Sequence, residues 1–192
     1  MSTATTSQQT VTDVILRTRK GSFRLSTELK PENTWLKFDN REKGDKPPWP
    51  VDPMPWEWGT LQTGDLQLRD LPGVAVVERK TLPDLVQCVG RERARFEREL
   101  ERMQAFRHRI VIVECDYSAL QIQSWRGKVT PAMVIASVCG WMGRTGFLFA
   151  GSRTNAGDAA KRFLYLAAKK EWKKLRALAG VLELETAERA DA

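Results

Sequence analysis

Short apolar runs alternate along the chain with longer segments whose apolar residues recur at helical spacing. Strands are predicted at residues 74–78 and 110–114, because uninterrupted apolar runs at residues 74–77 and 110–113 are typical of strands that are buried on both faces. Between them, residues 81–89 and 91–106 have the spacing of amphipathic helices. This interleaving predicts an α/β fold in which helices flank a mixed central β-sheet.

The segments on either side of this centre predict further elements. The predicted strands are a hairpin within residues 11–29 that turns at Lys20-Gly21, and residues 35–39, 64–69 and 146–150. The predicted helices are residues 131–141, with Thr130 as the N-cap, and a final helix capped by Asn155 that runs to about Leu178. We expect one domain over residues 11–180, with tails at residues 1–10 and 181–192.

A proline- and tryptophan-rich insert at residues 43–60 separates two of the predicted strands. Five prolines fall between Pro47 and Pro55, which excludes a regular helix or a central strand there. We therefore expect the insert to be an ordered or partner-dependent loop. The tail after Gly180 is expected to be disordered.

The charge balance favours a polyanionic partner. Lys and Arg total 31 against 24 for Asp and Glu, which gives a net charge of +7 and a pI of about 9.5. The first ten residues are polar and lack the apolar core of a signal peptide. The longest mostly apolar run, residues 133–142, is too short to span a bilayer, so a cytoplasmic protein without a membrane partner is expected.

Cysteine and histidine usage narrows the chemistry. Cys88, Cys115 and Cys139 are widely spaced and form no CxxC pair, so neither a disulfide framework nor a zinc site is indicated. His108 is the single histidine, which leaves little for sites built on several histidines. Any catalytic chemistry would have to be carried by carboxylates.

Three consecutive charges, Glu78, Arg79 and Lys80, end the buried strand that begins at Val74. Glu78 and Lys80 share one face of the strand and Arg79 points to the other, because side chains alternate. A turn at Pro72-Gly73 would place Asp65 opposite Lys80, and a turn at Leu71-Pro72 would place it opposite Glu78. In either register Asp65 joins the face of Glu78 and Lys80.

Two converging carboxylates repel each other unless a cation lies between them. Oxygen ligands without histidine or thiolate favour Mg²⁺ or Mn²⁺. A neighbouring ammonium such as Lys80 would stabilise charge on an attacked phosphate, so the arrangement points to phosphodiester hydrolysis. A Glu-x-Lys sequence by itself is more often a solvated strand end, and its combination with Asp65 carries the hypothesis.

These residues occur in the order of a known family. Gly64-Asp65, Val77-Glu78-Arg79-Lys80 and Asp84 resemble the GD…(V/I)ERKxxxD signature of the XPF-type nuclease domain, a branch of the PD-(D/E)XK superfamily. Three further segments resemble other elements of that family. They are Phe38-Asp39-Asn40-Arg41-Glu42, the helix with Arg95-Phe96, and Ile112-Val113-Glu114. The resemblance implies a restriction-endonuclease-like core, and it is found in a chain too short to add tandem helix-hairpin-helix modules.

The resemblance also implies roles for the matching residues. Asp65 and Glu78 would be metal ligands, Asp39 would be a further metal ligand or a carboxylate that orients the ligands, and Lys80 would be the catalytic ammonium. The supporting residues would be Arg41, Glu42, Arg79 and Asp84. Asp84 has an equally good structural interpretation, because a carboxylate in the first turn of a helix is favoured by the helix dipole.

We expect a DNA endonuclease that uses Mg²⁺ or Mn²⁺ and no organic cofactor, acting in repair, recombination or replication. Branched or single-strand-containing DNA is the expected partner, and a homodimer is left open. Arg91, Arg95, Trp56 and Trp58 are the candidate DNA contacts, since tryptophans stack on unpaired bases. The alternative for the tryptophans is packing against the sheet edge or a partner subunit.

Two other functions remain open at this point. The first is a non-catalytic DNA-binding or scaffold relative of the nuclease fold, against which the intact Asp65, Glu78 and Lys80 argue. The second is a protein-interaction module that uses the tryptophan-rich loop, which predicts no metal dependence.

Overall fold

A computed structural model describes residues 14–18, 21–25, 28–42 and 46–190, with side chains at 28–42 and 46–178. The predicted tail at residues 1–10 lies outside the described residues. The chain divides into two compact units, one formed by Met1–Lys30 with Lys170–Ala192 and the other by Pro31–Lys169.

The first unit contains an antiparallel pair of strands, β1 (Val14–Thr18) and β2 (Gly21–Leu25), in which Thr18 lies opposite Gly21. These strands confirm the predicted N-terminal hairpin. Lys20, the first residue of the predicted turn, lies outside the described residues.

The second unit is built on a six-stranded sheet, counted over the described residues, with the order β4-β3-β5-β6-β7-β8. β3 pairs in parallel with β4 and antiparallel with β5, β5 pairs antiparallel with β6, and β6, β7 and β8 are parallel. The strands are β3 (Leu36–Asp39), β4 (Trp56–Gly59), β5 (Leu66–Leu68), β6 (Ala75–Lys80), β7 (His108–Val113) and β8 (Gly146–Phe149). The predicted mixed sheet with flanking helices is confirmed.

Helices follow the strands as the apolar spacing predicts. They are α1 (Leu82–Val89), α2 (Arg93–Met103), α3 (Pro131–Trp141) and α4 (Arg153–Ala190). The side chains of Thr81 and Thr130 accept hydrogen bonds from backbone N–H groups in the first turns of α1 and α3, so both helices have a side-chain N-cap. Among the described residues, no helix is both long and apolar enough to cross a membrane.

The core lies between the parallel part of the sheet and helices α1, α2 and α3. Buried side chains from β6 and β7 meet one apolar face of each helix, which is why the uninterrupted apolar runs form the central strands. The cluster includes Val76, Val111, Val113, Leu85, Phe96, Leu100, Met103, Val134, Val138 and Trp141.

The β5–β6 pairing decides between the two predicted registers. Leu66 lies opposite Val77 and Gln67 opposite Val76, which continues to Asp65 opposite Glu78. This is the register of the Leu71-Pro72 alternative, but the connection is longer than a two-residue turn because it spans residues 69–74. In a tight hairpin the length of the turn sets the register of the two strands, but this longer connection does not set it.

Three sequence-based expectations are wrong. Residues 56–59 of the insert form edge strand β4, in which all four residues are half-buried, and not a loop. Helix α4 begins at Arg153, and the Ser152 hydroxyl accepts from the Asn155 N–H at 3.2 Å, so Asn155 lies inside the first turn and is not the cap. The same helix continues to Ala190, past the predicted end at Leu178 and through residues expected to be disordered.

The insert packs on the first part of α4. A Cβ atom on Gly157 would lie 2.9 Å from Pro50 Cδ and 3.0 Å from Trp49 Cβ. Arg153 Nε donates to the Pro48 carbonyl oxygen at 2.5 Å, and Lys161 Nζ donates to that of Asp52 at 2.9 Å. These contacts fix the insert on the helix.

We predict that Gly157→Ala destabilises the protein by about 1–3 kcal/mol because the added methyl overlaps the insert. The matched control is Gly140→Ala, since a Cβ there has no neighbour within 4 Å. Gly140→Ala should stabilise by about 0.5–1 kcal/mol through helix propensity alone. Urea unfolding of both variants tests this, and equal shifts of the same sign would show that the insert does not pack as described.

Candidate active site

The end of β6 and the residue before β5 bring two carboxylates and an ammonium together. Glu78 and Lys80 are two residues apart and leave the same face of β6, and Lys80 Nζ lies 5.2 Å from the centre of the Phe96 ring on α2. The Asp65 N–H donates to the Val77 carbonyl oxygen at 2.9 Å, which places Asp65 beside Glu78.

The Gly64-Asp65 pair is held by backbone geometry. Gly64 has φ of +70°, and a Cβ there would lie 2.3 Å from Val76 Cγ2, so only glycine fits. Its N–H donates to Glu99 Oε1 at 2.8 Å, and Asp65 Oδ2 accepts from the Arg79 N–H at 2.7 Å. The Asp65 side chain is thus oriented by the backbone of the neighbouring strand.

Lys80 is a buried ammonium paired with a buried carboxylate. Lys80 is 8% exposed and Glu78 is 6% exposed, and Lys80 Nζ donates to Glu78 Oε1 and to the Arg79 carbonyl oxygen. Burial lowers the pKa of Lys80, but Glu78 and Asp65 raise it by more, so its net pKa lies above the usual value. Lys80 is therefore charged at neutral pH.

For Lys80 the surroundings favour the charged form, whereas for the carboxylates Asp65 and Glu78 they favour the uncharged form. Burial, reinforced by the charge of Glu78, raises the pKa of Asp65 well above its usual value. Burial also raises the pKa of Glu78, although Lys80 offsets part of that rise. One ammonium does not compensate both anions, and a cation between them would lower both pKa values.

These side chains open into a cavity of about 280 Å³. Its charged lining is mixed, with more acidic than basic side chains. The charged lining residues are Arg41, Glu42, Asp65, Glu78, Lys80, Asp84, Glu92, Arg95 and Glu99.

The donor set fits a hard cation. Among the described residues, no group of three or more His, Cys, Asp or Glu side chains is arranged to hold a metal ion. Asp65 and Glu78 would nevertheless supply two oxygen ligands, and Mg²⁺ is usually bound by one or two carboxylates with water and substrate phosphate completing its octahedron. The pKa of Asp65 stays raised even though Lys80 and the Arg79 N–H lower it, and this remaining repulsion between the carboxylates supports the fit.

Asp39 is the strand neighbour of Asp65, since its N–H donates to the Asp65 carbonyl oxygen at 3.0 Å, and its carboxylate is bound by Arg41. It is 1% exposed and is not among the residues that line the cavity. Its carboxylate accepts from the backbone N–H and the guanidinium of Arg41, and Arg41 Nη2 also donates to the Leu61 carbonyl oxygen at 3.1 Å. The geometry makes Asp39 an orienting group for Arg41, which does line the cavity.

The opposite face of β6 carries a second polar network around Arg79. Arg79 Nε donates to Glu114 Oε1 at 2.7 Å, and Nη1 donates to Glu42 Oε2 at 3.0 Å. Trp49 Nε1 donates to the same Glu114 oxygen at 2.6 Å. Arg79 thereby links a cavity-lining carboxylate, Glu42, to the end of β7 and to the insert.

The sequence model of the ERCC4 domain family matches residues 5–156. The chain belongs to the ERCC4 domain family. This membership confirms the resemblance to the XPF-type nuclease domain that the motifs indicate, and it supports activity as a DNA endonuclease. A search of curated proteins finds no significant match.

Solved structures support the fold of this ERCC4 domain. XPF from Aeropyrum pernix is 16% identical with a TM-score of 0.55, over 75% of this chain and 69% of that one. XPF from Aeropyrum pernix in complex with DNA is 17% identical with a TM-score of 0.50, over 73% of this chain and 66% of that one.

Asp84 lies where it can both cap helix α1 and face the cavity of the ERCC4 domain. Its Oδ2 accepts from the Thr81 hydroxyl at 2.6 Å, and its N–H donates back to that hydroxyl, which closes the first turn of α1. Asp84 also lines the cavity. The capping contact is present in the structure, and a role in the site stays a prediction.

The candidate DNA contacts differ in their surroundings. Arg95 lines the cavity and its Nε donates to Glu92 Oε2 at 2.8 Å. Arg91 is exposed, is not among the lining residues, and donates to Gln87 at 2.8 Å. Arg95 therefore has the better position for contacting a substrate in the cavity.

The tryptophans of the insert favour the packing alternative. Trp56 and Trp58 are half-buried on β4, with ring centres 5.5 Å apart, and lie 6.1 and 5.8 Å from the Phe38 ring. Trp49 is 1% exposed. Base stacking by Trp56 or Trp58 would have to use the outer part of this aromatic cluster.

Two residues of the site were not singled out from the sequence. Glu99 holds the Gly64 N–H, and Glu114 holds the Arg79 side chain. Both lie in segments that match the family, next to the Arg95-Phe96 pair and at the end of the Ile112-Val113 strand. Their roles depend on contacts across 35 residues of sequence in each case, which local patterns do not show.

We predict that Asp65→Asn stabilises the protein in EDTA at neutral pH by on the order of 1 kcal/mol, or about 2–4 °C in Tm. The folded-state pKa of Asp65 is raised, so wild-type stability falls as pH rises from the unfolded pKa through the folded one. The advantage of Asp65→Asn should therefore shrink as the pH is lowered towards 4.

The measurement is thermal unfolding across pH, with Asp70→Asn as the control because Asp70 is an exposed carboxylate. The control should change stability by less than about 0.5 kcal/mol. A destabilised Asp65→Asn variant at pH 7 in EDTA would contradict the electrostatic description of the site.

Proposed function

We propose that this chain is a DNA endonuclease that requires Mg²⁺ or Mn²⁺ and hydrolyses phosphodiester bonds in the cavity at the end of β6. The observation that carries the proposal is the convergence of Asp65, Glu78 and a charged, buried Lys80 at that point. Asp65 and Glu78 would hold the ion. When bound, the ion would supply Lewis-acid stabilisation of the charge that develops on the phosphate.

Lys80 would act as a fixed positive charge. Its raised pKa makes it a poor general base, because it holds its proton at neutral pH. Its ammonium would donate to a phosphate oxygen or to the attacking water, at the cost of part of its ion pair with Glu78. The aromatic face of Phe96 stabilises the charge in this position.

Asp39 would act through Arg41, as an orienting carboxylate; the motif also leaves open a role as a further metal ligand. Arg41 is exposed while Asp39 is buried, so the carboxylate anchors a guanidinium that reaches the cavity wall. A guanidinium there would bind phosphate oxygens of the substrate in bidentate fashion.

DNA is the proposed substrate. The net charge of +7 favours a polyanion, and the structurally similar XPF from Aeropyrum pernix has been solved in complex with DNA. We further propose a preference for branched or single-strand-containing DNA, in repair, recombination or replication. A panel of duplex, flap, fork and four-way DNAs tests this, and equal cleavage of plain duplex would contradict it.

We predict that Glu78→Gln and Lys80→Met each reduce cleavage by about 10²–10⁴-fold, in line with loss of a preorganised charge. Both variants should bind the same DNA with little change in affinity, and wild-type cleavage should stop in EDTA. Labelled DNA with Mg²⁺, Mn²⁺ or EDTA provides the measurement.

The control for this prediction is Glu57→Gln, because Glu57 is a half-buried carboxylate on edge strand β4 and is not among the lining residues. It should cleave at the wild-type rate. Wild-type protein that binds DNA and never cuts it would favour the non-catalytic alternative, and undiminished cleavage by Glu78→Gln would remove the site assignment.

We also predict that Trp49→Phe lowers cleavage several-fold, because it removes the donor to Glu114 that helps to fix Arg79 and Glu42. Trp125→Phe is the matched control, since Trp125 Nε1 donates at 2.7 Å to the Val129 carbonyl oxygen away from the cavity. Both variants should lose about 1 kcal/mol of stability. Equal cleavage by the two variants would show that Trp49 has a purely structural role.

A further inference from the structure

A second cavity, of about 340 Å³, lies at the other end of the parallel strands. His108 begins β7 and Gly146 begins β8, and both line this cavity, whereas Lys80 and Val113 are paired at the opposite strand ends. The six residues of β6 separate the two ends by about 17 Å at 3.3 Å per residue. The two cavities share no lining residue.

Thr145 and Arg144 each place a buried polar atom in the lining of this cavity. Thr145 is 4% exposed, and its Oγ1 makes no hydrogen bond. Arg144 Nη1 makes none either, although it lies 3.8 Å from Glu101 Oε1 in a loose ion pair. Buried polar groups in native proteins are normally satisfied, so the Thr145 hydroxyl points to a ligand, whereas Arg144 Nη1 has Glu101 as an ion-pair partner.

Arg109 adds a fixed positive charge. Its Nε donates to the Arg144 carbonyl oxygen at 2.7 Å and its Nη1 donates to the Phe106 carbonyl oxygen at 3.1 Å. These bonds orient the guanidinium without neutralising it, and within the described part of the chain no carboxylate lies within 4.0 Å of it. The remaining N–H donors of Arg109 are thus preorganised for an anion.

We propose that this second cavity binds a phosphate group through Arg109, Arg144 and the Thr145 hydroxyl. Two guanidinium groups and a hydroxyl match a phosphate, which has several strong acceptor oxygens and more than one negative charge. Glu101 offsets part of the charge of Arg144 but leaves that of Arg109 in place. Met142 and Phe163 form an apolar wall that accommodates the carbon skeleton attached to the phosphate.

The source of the phosphate is the backbone of DNA, and this identification rests on the proposed function. A separation of about 17 Å corresponds to about five nucleotides at 3.4 Å per nucleotide along one strand. Because the line between the two cavities follows the buried strand β6, a DNA strand in the catalytic cavity would have to pass around the sheet and would bind the second cavity at least about five nucleotides away. Free phosphate is the other source of the same chemistry, and the experiment distinguishes the two.

The first arm uses metal-free protein in EDTA and inorganic phosphate as the probe. Phosphate should raise the Tm of wild type by a few degrees at saturating concentration. Thr145→Val and Arg144→Gln should each weaken phosphate binding by about tenfold or more, the loss expected of a buried donor to a charged acceptor. Without phosphate, Thr145→Val should be at least as stable as wild type, because it removes a hydroxyl that has no partner.

The matched control is Arg126→Gln, which removes one exposed positive charge outside the cavity lining. It should keep the full phosphate-induced shift. A wild type that does not respond to phosphate, or variants that respond as wild type does, would overturn the proposal. No metal or cleavage enters this arm, so its failure is distinct from failure of the proposed nuclease function.

The second arm measures the affinity for DNA in EDTA as a function of salt. Arg144→Gln should reduce the slope of log K against log salt by about 0.9, the value for one lost phosphate contact, and Arg126→Gln should not. An unchanged slope together with a lost phosphate shift in the first arm would assign the cavity to free phosphate and overturn the DNA-backbone source.

Discussion

Three consecutive charges at the end of a core strand have to be compensated on both faces of the sheet, and the site is organised around this constraint. Glu78 and Lys80 compensate each other on the helix side. Arg79 points to the other side, where its guanidinium forms ion pairs with Glu114 and Glu42. The Arg79 N–H also holds Asp65, so one residue connects both faces.

The compensation is incomplete on the helix side. Lys80 neutralises one carboxylate, and the pKa of Asp65 remains raised by burial and by Glu78. The fold thus keeps a carboxylate in a place where its ionisation costs stability, which proteins accept mainly where function requires it. A divalent cation would convert this cost into binding energy, because both carboxylates would then be stabilised as anions.

The sequence predicted the shared face of Asp65, Glu78 and Lys80 because both hairpin registers preserve the alternation of side chains. It did not decide between the registers, since the connection at residues 69–74 is too long for turn rules to apply. Strand β4 was missed because prolines precede it and it occupies an edge, where local patterns are weak. The contact of the Asp39 carboxylate with the Arg41 side chain is a further feature that the spacing of the motif does not reveal.

The role of a tryptophan in the insert depends on which group it contacts. A tryptophan in a proline-rich segment suggests base stacking, yet Trp49 is buried and its indole N–H binds the carboxylate that holds Arg79. The same segment packs against Gly157 of α4, where no side chain would fit. Since the indole donates to Glu114 and the backbone is fixed on the helix, the insert supports the second face of β6 from behind. The insert is connected to the site by the Trp49 indole N–H and by its packing on α4, and not by an exposed aromatic surface.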